Sequence, residues 1–188
     1  MRLALSTVVA AATIITAGCS DTNMSTNPSR LASSSISADK GGGGNDRTKT
    51  VKLMDECEGI SFSSNGVPCN RNGGVTFDRF GAQLARLHEV PEWRFNPGTV
   101  NLRVGDILAS LNMGGEAHTF TEVEDFGGGI VPALNAAAGL TAVAPECREA
   151  QFLPPGAGTS EVTDEAGDEK YQCCIHPWMR TVVHIAEK

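Results

Sequence analysis

Along the chain the pattern of apolar and polar positions changes twice. An unbroken apolar run from Leu3 to Ile15 follows a single arginine and ends in the small residues Thr16, Ala17 and Gly18 before Cys19. This is the shape of an export signal peptide over residues 1–18, too short and too closely followed by polar residues to be a stable membrane span. Residues 19–50 are rich in Ser, Asn and Gly and have no period. They bury too little surface to offset their ordering entropy and read as a flexible tether. From Val51 the pattern becomes globular. Phe77, Phe80, Leu84 and Leu87 recur at helical spacing behind Thr76, a residue suited to an N-cap, and Pro91 closes the segment. Val100, Leu102 and Val104 then alternate with polar residues, Gly105 and Asp106 make a turn, and Ile107, Ala109 and Leu111 alternate again. A third strand is expected from His118 to Val123, short extended pieces between Ala150 and Cys173, and a last strand from Thr181 to Glu187. Many short strands with no βαβ alternation predict an all-β antiparallel sandwich or barrel over residues 93–188. Residues 51–92, with the short helix, are expected to form an extension before it.

Length and composition narrow this picture only a little. A chain of 188 residues fits one domain plus extensions, and an aromatic content of 5% with 21 Gly suits short strands joined by turns. The formal net charge of −7 and the lack of any basic run exclude a nucleic-acid partner. The sequence Thr16-Ala17-Gly18-Cys19 resembles a bacterial lipobox, which makes Cys19 the expected lipidation site. The folded domain is then expected in the cell envelope or periplasm, held to a membrane only through that anchor. The alternative is an ordinary signal peptide in which Cys19 is incidental. Either route exports the chain and permits disulfides.

The densest chemistry lies between Lys170 and Arg180. Cys173, His176 and Met179 are spaced C-x-x-H-x-x-M. A thiolate, an imidazole and a thioether together suit an ion that must be held as both Cu(I) and Cu(II), and the blue-copper set is two His, one Cys and a weak axial Met. A second histidine must come from elsewhere, and the chain has four in all. His118, which follows Gly114-Gly115 and opens a strand, is the natural choice; His184 is the reserve and otherwise a surface residue, as is His88. Counting excludes the rivals. There is no C-x-x-C-H for a c-type haem, no second Cys/His motif for a Rieske centre, and adjacent cysteines cannot both bridge a binuclear copper. Four histidines are too few for a catalytic copper besides, and structural zinc has no use for methionine. An enzyme is therefore not expected.

This pattern resembles the cupredoxin family of blue copper proteins. The C-x-x-H-P-x-M-R run is similar to the ligand loop of amicyanin, and the segments "NPGTVNLRVGD", "HTF" and "KYQC" resemble the strands that frame a plastocyanin-type site. The resemblance spans about Trp93–Lys188, and Thr119 stands where plastocyanins often carry Asn. It implies a Greek-key β-sandwich holding one type 1 copper ion. His118, Cys173 and His176 would be the equatorial ligands and Met179 the axial one. Electrons would pass through an exposed edge of His176, with Pro177 and Trp178 in an apolar docking patch. A monomeric electron carrier is implied, serving a redox partner such as a cytochrome or a copper enzyme. The alternative is a copper storage, delivery or sensing protein, or a fold whose site stays empty.

Adjacent residues of an extended strand point to opposite faces, so only Cys173 reaches the metal and Cys174 faces away. With Cys19 and Cys173 set aside, Cys57, Cys69, Cys147 and Cys174 make two disulfides with three possible pairings. Cys57–Cys69 with Cys147–Cys174 is the expected one; the alternative is a vicinal Cys173–Cys174 bridge or free thiols.

Overall fold

The computed structural model describes residues 47–188; the signal peptide, Cys19 and most of the tether lie outside the described residues. Two four-stranded sheets share one core. The first has the order β2-β1-β4-β8, with β1 at Thr48–Met54, β2 at Arg94–Asn96, β4 at Ile107–Asn112 and β8 at Gly158–Val162. The second has the order β3-β10-β9-β6, with β3 at Thr99–Arg103, β6 at Thr121–Val123, β9 at Gly167–Gln172 and β10 at Arg180–Ala186. Val51, Leu53, Phe95 and Leu108 from the first sheet and Val100, Leu102, Tyr171, Val183 and Ile185 from the second are buried in a single apolar cluster. Each large side chain so buried contributes about 1.5–3 kcal/mol, so the shared cluster is what holds the layers face to face as an all-β sandwich.

Three expectations are corrected. The sheets are mixed rather than purely antiparallel, because β1 runs parallel to β4 and β3 parallel to β10. Between β1 and β4, and between β3 and β10, the chain visits the other layer rather than returning by a hairpin, and such a crossing makes parallel neighbours possible. Second, Thr48, Lys49 and Thr50 belong to β1 and not to the tether, and β1 is an interior strand of its sheet. The residues taken as an extension before the core strands therefore begin with one of those strands. Third, the apolar series Ile107, Ala109 and Leu111 is only half-buried, while Leu108, Ser110 and Asn112 are the buried face of β4. The two polar residues are tolerated there because they are satisfied: Ser110 Oγ meets Thr159 Oγ1 at 2.8 Å, and the Asn112 amide donates to Glu116 O and Leu153 O, each at 2.8 Å.

The helix expected behind Thr76 is α2, Phe77–Leu87, after a shorter helix α1 at Gly59–Ser64. The Thr76 hydroxyl accepts from Arg79 N, and His88 closes α2 in a left-handed conformation with its Nδ1 2.8 Å from Ala137 O. Phe80 and Leu84 face the core. The segment expected as one strand from His118 is divided: β5, His118–Thr119, pairs with β7, Phe152–Leu153, whereas β6 pairs with β9. A short helix α3, Pro132–Ala137, and a 3-10 turn at Pro145–Glu149 occupy the Gly/Ala-rich excursion. Both disulfides form with the expected pairing, Cys57–Cys69 and Cys147–Cys174, leaving Cys173 as the free thiol among the described residues.

Candidate metal centre

The loop Cys173–Met179 joins β9 to β10 and is closed by its own backbone. Cys173 N donates to Met179 O at 3.0 Å and Met179 N donates to His176 O at 2.9 Å. Those two bonds fold the seven residues so that Cys173, His176 and Met179 all turn inward, and all three are buried. Cys174 faces the other way, into a separate small cluster with Val123, Ala144 and its disulfide partner Cys147. The alternation expected of the Cys-Cys pair thus holds, and the bridge ties the outer side of the strand to the Ala144–Ala150 segment.

His118 comes to the same place from β5. Its Nδ1 lies 3.8 Å from Cys173 Sγ, and His176 Nδ1 lies 3.9 Å from the same sulfur. The three ligand atoms form a mutually close, fully buried group. Bonds of ~2.3 Å to sulfur and ~2.0 Å to nitrogen, set about 120° apart around one ion, separate the two donors by about 3.7 Å. The donor set and its spacing therefore fit a single first-row ion, and Met179 is buried in the same apolar core as Cys173. His184, the reserve ligand, is exposed on β10 and pairs with Asp168 at 2.6 Å, so it is a surface residue as expected.

The sulfur is prepared to be an anion. Thr119 N and His176 N point at Cys173 Sγ from 3.5 and 3.4 Å. Burial alone would push the thiol up, but the two histidines reverse that and hold it well below the usual thiol range. Thr119, standing where Asn was the expected residue of the plastocyanin pattern, keeps its backbone N–H on the sulfur and uses its hydroxyl to accept from Cys174 N at 2.7 Å.

Each imidazole has a carboxylate behind it. His118 Nε2 is 2.8 Å from Asp55 Oδ2, both side chains being fully buried. Burial by itself would lower the His118 pKa, yet the bonds to Asp55 and Cys173 raise it to about 9 when no metal competes. Burial likewise opposes ionisation of Asp55, but bonds from His118, Gly115 and Glu116 hold it at about 2. His176 Nε2 faces Glu116 Oε2 at 3.8 Å, and that oxygen accepts from Trp93 Nε1 at 2.6 Å. Burial raises the Glu116 carboxyl above its ordinary value, with His176 and Trp93 pulling the other way.

One expectation fails here. The ring of His176 is almost closed off from solvent: the residue is 3% accessible, and Pro177 is buried too. The ring is covered by Phe80 of α2, with centroids 6.4 Å apart, by Trp93 at 6.4 Å and by Trp178 at 5.6 Å. Of the expected patch only Trp178 reaches the surface, half-buried. Of the three covering rings only Phe80 comes from outside the recognised stretch, on α2; Trp93 opens that stretch and Trp178 belongs to the ligand loop itself. Asp55, Glu116, Phe80 and Trp93 were all missed as site residues. Only Glu116 carried a signal, in the Gly-Gly-Glu run just before His118.

No family model and no curated protein matches this chain. Solved structures do. A reduced Cu(I) form of an amicyanin variant is 20% identical with a TM-score of 0.36, the match covering 52% of this chain and 77% of that one. A purple cupredoxin from Nitrosopumilus maritimus is 14% identical with a TM-score of 0.40, covering 73% of this chain and 98% of that one.

Proposed function

We propose that this protein is a blue copper electron carrier, holding one type 1 copper ion through His118, Cys173 and His176 with Met179 as the axial ligand. The observation that carries the reading is the buried group itself. Two imidazole Nδ1 atoms face one thiolate at 3.8 and 3.9 Å, with a buried thioether in the same short loop. A bound copper ion supplies the one-electron couple, and the remaining work belongs to the chain. Thr119 N and His176 N support charge on the sulfur. Asp55 fixes the ring of His118. Phe80, Trp93 and Trp178 keep water from His176.

Because the His176 edge is covered, Trp178 is the electron's route to the surface. Its ring lies against His176 and is the outermost of the aromatic group. Docking around Trp178 suits a brief encounter, since electron-transfer complexes bury little area. The partner class is a redox protein such as a cytochrome or a copper enzyme, and the net charge of −7 favours a basic one. A role as carrier rather than catalyst accords with a site closed to small substrates. Two disulfides support an exported location, with Cys19 as a lipid anchor in the cell envelope.

The test is an optical and electron paramagnetic resonance spectrum of the purified Cu(II)-loaded protein beside Cys173→Ser. An intense visible thiolate-to-copper band with narrow hyperfine splitting, lost in the variant, is the expected result. A pale spectrum that the substitution leaves unchanged would overturn the ligand assignment and turn attention to copper storage or delivery.

A further inference from the structure

Asp55 sits 63 residues before His118 in sequence, at the exit of β1, with its side chain fully buried. The surroundings are built around it. Oδ1 accepts from Cys57 N at 3.1 Å and Gly115 N at 3.0 Å. Oδ2 accepts from Gly115 N at 2.9 Å, Glu116 N at 3.1 Å and His118 Nε2 at 2.8 Å. Gly114 and Gly115 are the residues that let the loop close over it. A Cβ on Gly114 would overlap Asp55 Oδ2 and come within 3.0 Å of His118 Nε2, and one on Gly115 would come within 2.5 Å of Arg71 Cγ. From the other side Arg71 Nη1 donates to Asp55 O at 2.8 Å, and the Cys57–Cys69 disulfide anchors the strand exit. A backbone cradle this complete holds a fixed anion against one particular imidazole nitrogen.

We propose that Asp55 is a positioning residue of the metal centre: it holds the Nε2–H of His118, so that Nδ1 is the ligating nitrogen, and its buried charge favours the more highly charged state of the bound ion. The inference rests on the copper reading above. A carboxylate behind a ligating histidine fixes the ring's tautomer and orientation and increases its donor strength. A negative charge one imidazole away, screened by no water, interacts more strongly with Cu(II) than with Cu(I). The carboxylate therefore lowers the reduction potential. Glu116 does not share this role, because its nearer oxygen is taken up by Trp93 and stands 3.8 Å from His176.

The test compares the wild-type full chain with Asp55→Asn, using copper alone as the probe. Asn keeps the shape and one acceptor oxygen but removes the charge. The ratio of Cu(I) to Cu(II) affinity, read from the potential, is expected to rise at least tenfold, about 59 mV for one electron. Far-UV circular dichroism checks that the variant folds. Should it not fold, nitrogen-15 spectra of the diamagnetic Cu(I) wild type decide the matter. A slowly exchanging proton on His118 Nε2, with Nδ1 unprotonated, is expected; a proton on Nδ1 overturns the proposal. A blue wild type with an unchanged potential in Asp55→Asn overturns the role of Asp55 alone. A wild type with no blue band overturns the metal reading and this inference together.

Discussion

Replacing Gly114 with alanine adds one methyl group at the tightest point of the loop before His118. Gly114 does not need a left-handed backbone, so the whole cost is steric. The new Cβ would overlap Asp55 Oδ2 and lie 2.7 Å from its Cγ, so either the loop or the buried aspartate must move. Either the loop shifts, at the about 1–3 kcal/mol typical of overpacking, or the carboxylate is displaced. Displacement breaks its bonds to Glu116 N and His118 Nε2, and hydrogen bonds to charged groups contribute about 1.5–3 kcal/mol each. The cheaper route prevails, so the expected loss is about 1–3 kcal/mol, a sizeable part of the ~5–15 kcal/mol a domain of this size possesses. Gly81→Ala is the matched comparison. It lies inside α2 with nothing within 4 Å of the added methyl, so helix propensity alone acts and stabilises by about 1 kcal/mol. Urea unfolding of the metal-free protein at neutral pH, followed by circular dichroism, measures both. A Gly114→Ala variant within 1 kcal/mol of wild type would refute the close wrapping of Asp55, and with it the account of how His118 is oriented.

Two further outcomes are expected. The Cys147–Cys174 bridge closes a 27-residue span, for which the chain-entropy relation gives about 3.5 kcal/mol; the Cys147→Ala/Cys174→Ala double variant should lose about that much in urea unfolding, and a loss under 1 kcal/mol would contradict it. Asp106 caps the turn between β3 and β4, accepting from Arg47 N and Arg103 N at 2.9 Å each. Arg47 and Arg103 hold its carboxyl below the usual value despite burial. The unfolded chain then binds the proton first as pH falls, so this stabilisation is present above about pH 4 and is lost on further acidification through the folded-state value. Asp106→Asn should be less stable than wild type at pH 7, with the gap between their urea midpoints closing below about pH 4; a gap independent of pH would exclude the charge as its source.

How much of this was legible in the sequence depends on how local each feature is. The ligand loop could be read because three donors sit in seven consecutive residues, and α2 because its apolar stripe and Thr76 cap follow a helical period. His118 could be reached only by scarcity, there being four histidines to choose among. The buried face of β4 ran against the pattern, since periodicity ranks residues by hydrophobicity and cannot see that Asn112 is satisfied by Glu116 O and Leu153 O. Asp55 left no signal at all. A lone aspartate at the end of a strand has many ordinary explanations, and its partner lies 63 residues away. The same holds for Trp93 and Phe80, whose apolar character marks them as core without saying that the core they join covers His176 of the candidate metal centre.

That cover bears on the choice between carrying electrons and carrying copper. Delivery needs the ion to leave, and ligand exchange starts at the most accessible ligand. In this protein His176 is under Phe80, Trp93 and Trp178, while His118 is pinned by a carboxylate that is itself held by three backbone N–H groups. Releasing a metal would mean lifting the aromatic cover or unmaking the Asp55 cradle, and the cover is tied into the main core through Phe62, which lies against Phe80 and Trp93. An electron needs no such opening, because it can pass from His176 to Trp178 through rings already 5.6 Å apart. A closed and doubly anchored site thus costs a carrier nothing while it hinders a donor of copper, which is the physical ground for preferring the first role.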